Sequence, residues 1–163
     1  LFGSGCTNHC EHFFQPETWD FTHGEPFTEK TQEELLQMMK PDYIHGFTLL
    51  GGEPFEPENQ RGILPFLQKL KQEFPEKTVW AYTGFVLEDL MTEGTHPQWE
   101  ITETILSLID VLIDGRFVEA KKDLSLQFRG SSNQRIIDLK KTLAEGRVIL
   151  WEDPSKATEG TKI

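Results

Sequence analysis

Apolar positions along this chain follow two alternating rhythms. Short apolar runs closed by glycine, proline or polar pairs predict strands. They are residues 1–2 before Gly3, residues 46–50 (GFTLL) before Gly51-Gly52-Glu53-Pro54, residues 78–82 (TVWAY) before Thr83-Gly84, residues 110–114 (DVLID) before Gly115, and residues 148–151. Between these runs the apolar spacing turns helical. A helix is expected from about Thr31, where Thr31 and Glu34 have the spacing of a capping box ahead of Leu35, Leu36, Met38 and Met39, and Pro41 stops it. A second spans residues 57–74, with Ile63, Leu64, Leu67 and Leu70 on one face and Lys69, Lys71 and Glu73 on others. Residues 86–91 and 101–108 read as short helices. Residues 133–143 read as a helix capped by Ser131-Ser132, with Gly146 beyond its end.

Strands alternating with helices imply an α/β fold with a mostly parallel sheet, because parallel neighbours need a long crossover. Ligands in such sheets sit at the carboxyl ends of the strands. The segment after Gly3, the Gly51–Pro54 turn, Thr83-Gly84 and Gly115-Arg116-Phe117 are therefore expected at one end. Residues 1–153 read as one domain, and the polar residues 154–163 as a flexible tail.

The chain has 163 residues, enough to bury a core without staples, and its net charge of −11 argues against phosphate-backbone binding. Neither nucleic acid nor a membrane is an expected partner, since no apolar run is long enough to span a bilayer. Two closely spaced cysteines do not make a disulfide framework, and they point to metal or redox chemistry in a reducing, cytoplasmic compartment.

Both cysteines lie in one stretch, SGCTNHCEHFFQPETWDF, which also holds His9, His12, Phe13 and Phe14. Thiolates at Cys6 and Cys10, three residues apart, suit a metal centre, although two are too few for a zinc or iron-sulfur site alone. They could equally be two small buried hydrophobes. His9 and His12 could complete a zinc site, but four ligands within seven residues would crowd a tetrahedral ion. In Gly51-Gly52-Glu53-Pro54, two glycines let a ligand approach the backbone and the carboxylate can accept from an ammonium, or the segment is an ordinary turn. Residues 130–134 (GSSNQ) read as a helix N-terminus that either binds an anion or is simply capped. Arg116 and Arg129 could hold a carboxylate or pair with surface glutamates.

The order G-C-x3-C-x2-[position 13]-F-x-P-E-T-W resembles the cluster loop of the activating proteins of anaerobic ribonucleoside-triphosphate reductase, small radical S-adenosylmethionine enzymes. The segments FFQPETWDF, TLLGGEP, WAYTGF, VLIDGRF and FRGSSNQRIID also resemble that family's, in its order and over nearly the whole chain. The family reads C-x3-C-x2-C, and its third cysteine falls on Phe13 here.

The resemblance implies a partial (β/α) barrel of the radical S-adenosylmethionine type, with a further segment ahead of Leu1. It implies a [4Fe-4S] cluster of the three-cysteine type, with Cys6 and Cys10 as ligands and the third ligand missing. It places S-adenosyl-L-methionine against His12, Phe13 and Phe14 on the adenosine side, and against Gly52 and, more weakly, Glu53 on the methionine side. The activity implied is generation of a glycyl radical on the large subunit of the reductase, with an electron donor such as flavodoxin. Phe13 keeps two alternatives open: a cluster-deficient homologue that still docks on the reductase, and a small zinc-binding protein.

Overall fold

The computed structural model describes residues 2–3 and 27–153. The cysteine stretch and the tail from residue 154 lie outside the described residues. Among the described residues, five strands form one sheet in sequential order, β1 (Phe2–Gly3), β2 (Gly46–Gly51), β3 (Thr78–Tyr82), β4 (Val111–Asp114) and β5 (Arg135–Asp138). The first four run parallel and β5 returns antiparallel to β4. The expected α/β class and mostly parallel sheet are therefore observed.

The described residues also form helices α1 (Glu29–Met38), α2 (Pro57–Glu73), α3 (Leu87–Met91), α4 (Thr102–Ser107) and α5 (Leu139–Glu145). Inward positions of the strands alternate, so Phe47, Leu49, Val79 and Ala81 are buried while Thr48 and Thr78 are exposed. They pack into one core with Phe66, Leu67 and Leu70 of α2, Ile105 and Leu106 of α4, and Leu139 of α5. Gly46 lies opposite Thr78 across the β2–β3 pair, with room for no side chain: a Cβ there would stand 2.7 Å from the Thr78 carbonyl oxygen.

Three expectations need correction. The first helix begins at Glu29, and its cap is Thr28, whose hydroxyl accepts from the Thr31 amide at 3.3 Å, so Thr31 is a capped residue rather than the cap. Residues 133–143 are not one helix. Arg135–Asp138 pairs with β4, and only then does α5 begin, with Asp138 accepting from the Lys141 amide as its cap. Adjacent Ile136 and Ile137 suit a pleated surface, and the antiparallel ladder to Leu112 and Ile113 outweighs the weak helical spacing. The polar segment 130–134 is therefore a turn into a strand, which removes the helix N-terminus proposed for it. Residues 148–151 form no strand of their own but one isolated bridge, Ile137 to Leu150.

Candidate functional site

The carboxyl ends of β2, β3 and β4 meet as expected. β2 closes at Gly51, whose φ of 110° is a left-handed conformation that favours glycine, and Gly115 after β4 has a φ of 96° for the same reason. Gly3 lies opposite Gly51 in the β1–β2 register, so the cysteine stretch follows in sequence from a residue beside this turn. The Gly115 amide donates to the Phe85 carbonyl at 3.0 Å, joining the β4 end to the segment after β3.

Glu53 is the central group. Its side chain is buried, at 2% exposure. Oε1 accepts from the Phe55 amide at 3.2 Å and from the Thr83 hydroxyl, and Oε2 accepts from the Gly84 amide at 2.8 Å. Burial pushes its pKa up to about 7; the three donors pull it back only in part, and the nearby Glu56 adds to the rise. Both oxygens thus hold protein donors, and the carboxylate braces the Gly51–Pro54 turn against Thr83-Gly84. Gly52 stays partly exposed at the crest of the turn.

The sequence reading missed what lies beneath. Glu56, also 2% exposed, meets His96 Nε2 at 2.7 Å. Gln60 donates to the carbonyls of Phe55 and Pro97, each at 2.7 Å, and accepts from the Thr102 hydroxyl at 2.6 Å. Asn59 donates to the Glu53 carbonyl at 2.8 Å. In the sequence EPFEPENQ nothing marks Glu53 and Glu56 as buried while Glu58 is exposed, since glutamate beside proline ordinarily reads as surface. Glu53 turns in to Thr83 and Gly84 after β3, and Glu56 to His96 in the segment between α3 and α4.

A cleft of about 550 Å³ opens at this end, lined by Gly84, Phe85, Val86, Asp89, His96 and Arg116 among others. Arg116 is therefore at the strand ends, as expected. The Arg129 guanidinium donates to the Gln134 carbonyl. Within 130–134, Gln134 Oε1 accepts from the Gly130 and Ser131 amides at 2.9 and 3.1 Å, closing a turn. Under β4, Asp114 is 1% exposed and accepts from Arg135, which also grips Glu88 at 2.7 and 3.0 Å.

Cys6, Cys10, His12, Phe13 and Phe14 lie outside the described residues. Among the described residues, no three His, Cys, Asp or Glu side chains gather as a metal site, and no helix is long and apolar enough to cross a membrane.

A family profile described as a 4Fe-4S single cluster domain matches residues 1–137. The chain is 43% identical over 138 residues to a protein of Pasteurella multocida, covering 83% of this chain and 84% of that one. It is 38% identical over 138 residues to one of Haemophilus influenzae, at the same coverage of each chain. It is 37% identical over 136 residues to one of Enterobacteria phage T4, covering 83% and 80%. All three are named anaerobic ribonucleoside-triphosphate reductase-activating protein. No solved structure matches the chain. With its glycine-rich turn braced at the carboxyl ends of a parallel sheet and relatives matched over most of its length, this chain belongs to the anaerobic ribonucleoside-triphosphate reductase-activating proteins, a family with a 4Fe-4S single cluster domain.

Proposed function

We propose that this chain is an activating protein for anaerobic ribonucleoside-triphosphate reductase, of the radical S-adenosylmethionine kind, acting in the cytoplasm on the large subunit. Its product would be a glycyl radical on that subunit, with flavodoxin or a similar protein as electron donor. The observation that carries the reading is the turn at 51–54. Its carboxylate is spent on the protein's own donors, Phe55, Thr83 and Gly84, so what it offers a ligand is backbone. Gly52 is the residue assigned to the methionine amino group, and Glu53 acts by holding the turn. His12, Phe13 and Phe14 are assigned to the adenosine side.

The sheet is assigned to the partial (β/α) barrel of the radical S-adenosylmethionine enzymes, with the site at the carboxyl ends of its strands. Such a site supplies its radical chemistry from a cluster held by three thiolates, and the protein positions and shields it. This chain contains two cysteines, Cys6 and Cys10, and the phenyl ring of Phe13 has no lone pair to give a metal. The donors present do not complete a three-thiolate site. That observation favours a second reading, in which the chain docks on the reductase without activating it.

Mixing the chain with the large subunit tests both. A complex by calorimetry, together with 5′-deoxyadenosine and a glycyl-radical signal by electron paramagnetic resonance after anaerobic reconstitution and reduction, supports the first. A complex with neither product supports the second. No complex at all overturns both.

A further inference from the structure

The brace around Glu53 does not end at the turn. Glu53, Glu56, Gln60, Thr83 and Thr102 are each at most 4% exposed, and they are joined through one another and through the backbone of 53–56. The Glu56 amide donates to the Glu53 carbonyl at 3.1 Å, and Glu56 in turn reaches His96 at 2.7 Å. The His96 side chain is 56% exposed and stands in the cleft wall. A network of buried polar groups thus reaches solvent through an imidazole that lies 40 positions along the chain from the Glu56 it contacts.

We propose that His96 is a positioning residue for the 51–56 turn, which it holds through Glu56. This rests on reading that turn as the methionine-side binding segment. Two buried carboxylates three residues apart cannot both carry charge cheaply. Glu53 has three hydrogen-bond donors, and the imidazole gives Glu56 a cationic partner when protonated. Without His96, the negative charge at Glu56 loses that compensation and bears more heavily on Glu53. Glu53 then keeps its proton to higher pH, and a protonated carboxyl holds Thr83 and Gly84 less firmly. Among the described residues, the other charged groups lining the cleft with His96 are Asp89 from α3 and Arg116 from the segment after β4, and the Phe85 ring lies 5.9 Å from the imidazole.

The test is carboxyl titration by nuclear magnetic resonance on protein labelled at glutamate side chains, without cluster or ligand. His96→Gln is expected to raise the Glu53 midpoint by about one pH unit, a tenfold change in proton affinity. Glu56→Gln should lower it, and the double variant should titrate as Glu56→Gln does, because with Glu56 neutral the imidazole has no charge left to balance. A Glu53 midpoint that is the same in wild type and His96→Gln overturns the proposal. So does a His96→Gln shift that persists in the Glu56→Gln background. S-adenosylmethionine affinity, measured by calorimetry on the same proteins, separates the two layers of the argument. It should fall several-fold in His96→Gln and recover in the double variant. A midpoint that moves with no change in that affinity leaves the positioning role standing and counts against the methionine-side reading of the turn.

Discussion

Glu53 Oε2 accepts the Gly84 amide at 2.8 Å, and this one bond ties the end of β2 to the end of β3. Parallel neighbours otherwise diverge into separate loops at that point. The fold keeps its glycine-rich turn in place with a buried carboxylate, which costs stability that an apolar residue would not.

That cost has a definite pH dependence. An acid whose folded pKa is raised to about 7, from an ordinary 4.5, binds a proton in the folded state that the unfolded chain has already released. Stability therefore falls as pH rises from about 4.5 through about 7, and this group adds nothing further above that. At roughly 1.4 kcal/mol per pH unit the loss is on the order of 3 kcal/mol. Glu53→Gln removes the slope but presents an amide where Gly84 needs an acceptor. Urea melts of the two proteins at pH 5 and pH 8 should show the wild type losing more stability across that interval than the variant. Equal losses would mean Glu53 titrates normally.

Under β4 the charge logic is reversed. Asp114 is 1% exposed and its main compensation is Arg135, whose guanidinium is held cationic by hydrogen bonds to Asp114 and Glu88. Replacing Arg135 with Met leaves Asp114 with the Leu87 amide, at 2.9 Å, as its remaining described donor. Breaking a buried pair from one side costs about 3–5 kcal/mol. Arg135→Met should lose close to that amount, and adding Asp114→Asn should recover part of it. A single variant as stable as wild type would mean that Asp114 is solvated.

Sheet closure at the other end depends on a missing side chain. Gly46→Ala would place a Cβ 2.6 Å from Thr78 Oγ1 and 2.7 Å from its carbonyl oxygen. The hydroxyl can rotate away and the backbone cannot, so β2 must shift from β3. A loss of about 1–3 kcal/mol is expected, as for other overpacked sites, with thermal unfolding as the measurement. An unchanged midpoint would show the strand ends to be looser than their register implies.

What was legible in the sequence follows from how locally each element is specified. β2, β3 and α2 were visible because their apolar runs are bounded by glycine, proline and charge, and the observed bounds agree to within a residue. Residues 133–138 were misread because Ile136, Ile137, Leu139 and Leu143 fit a helical spacing as well as a strand followed by a helix. Only the distant pairing of Arg135 with Asp114 decides between them. The turn at 51–54 was recognisable by its glycines. Thr83-Gly84 was expected beside it from the strand order, but the Glu56–His96 pair was not, since it meets only through tertiary packing and a histidine in HPQW carries no pattern of its own.

The remaining question of function turns on position 13. Three thiolates hold three irons of a [4Fe-4S] cluster in the family's C-x3-C-x2-C order, and the chain supplies Cys6 and Cys10 with Phe13 in the third place. On the proposed reading of Cys6 and Cys10 as cluster ligands, one iron would lack its anionic ligand. His12 is the nearest alternative donor, as histidine replaces cysteine on one iron of Rieske centres, but it stands one position early and its ring would need a different approach. The chain as written should therefore hold less iron and sulfide after anaerobic reconstitution than its Phe13→Cys variant, and make less 5′-deoxyadenosine on reduction. The variant should approach four irons and gain both properties, while both proteins bind the large subunit alike. Four irons and equal 5′-deoxyadenosine in the Phe13 form would show that the loop draws its third ligand from elsewhere, and His12→Ala in that form would then be the variant that loses the cluster.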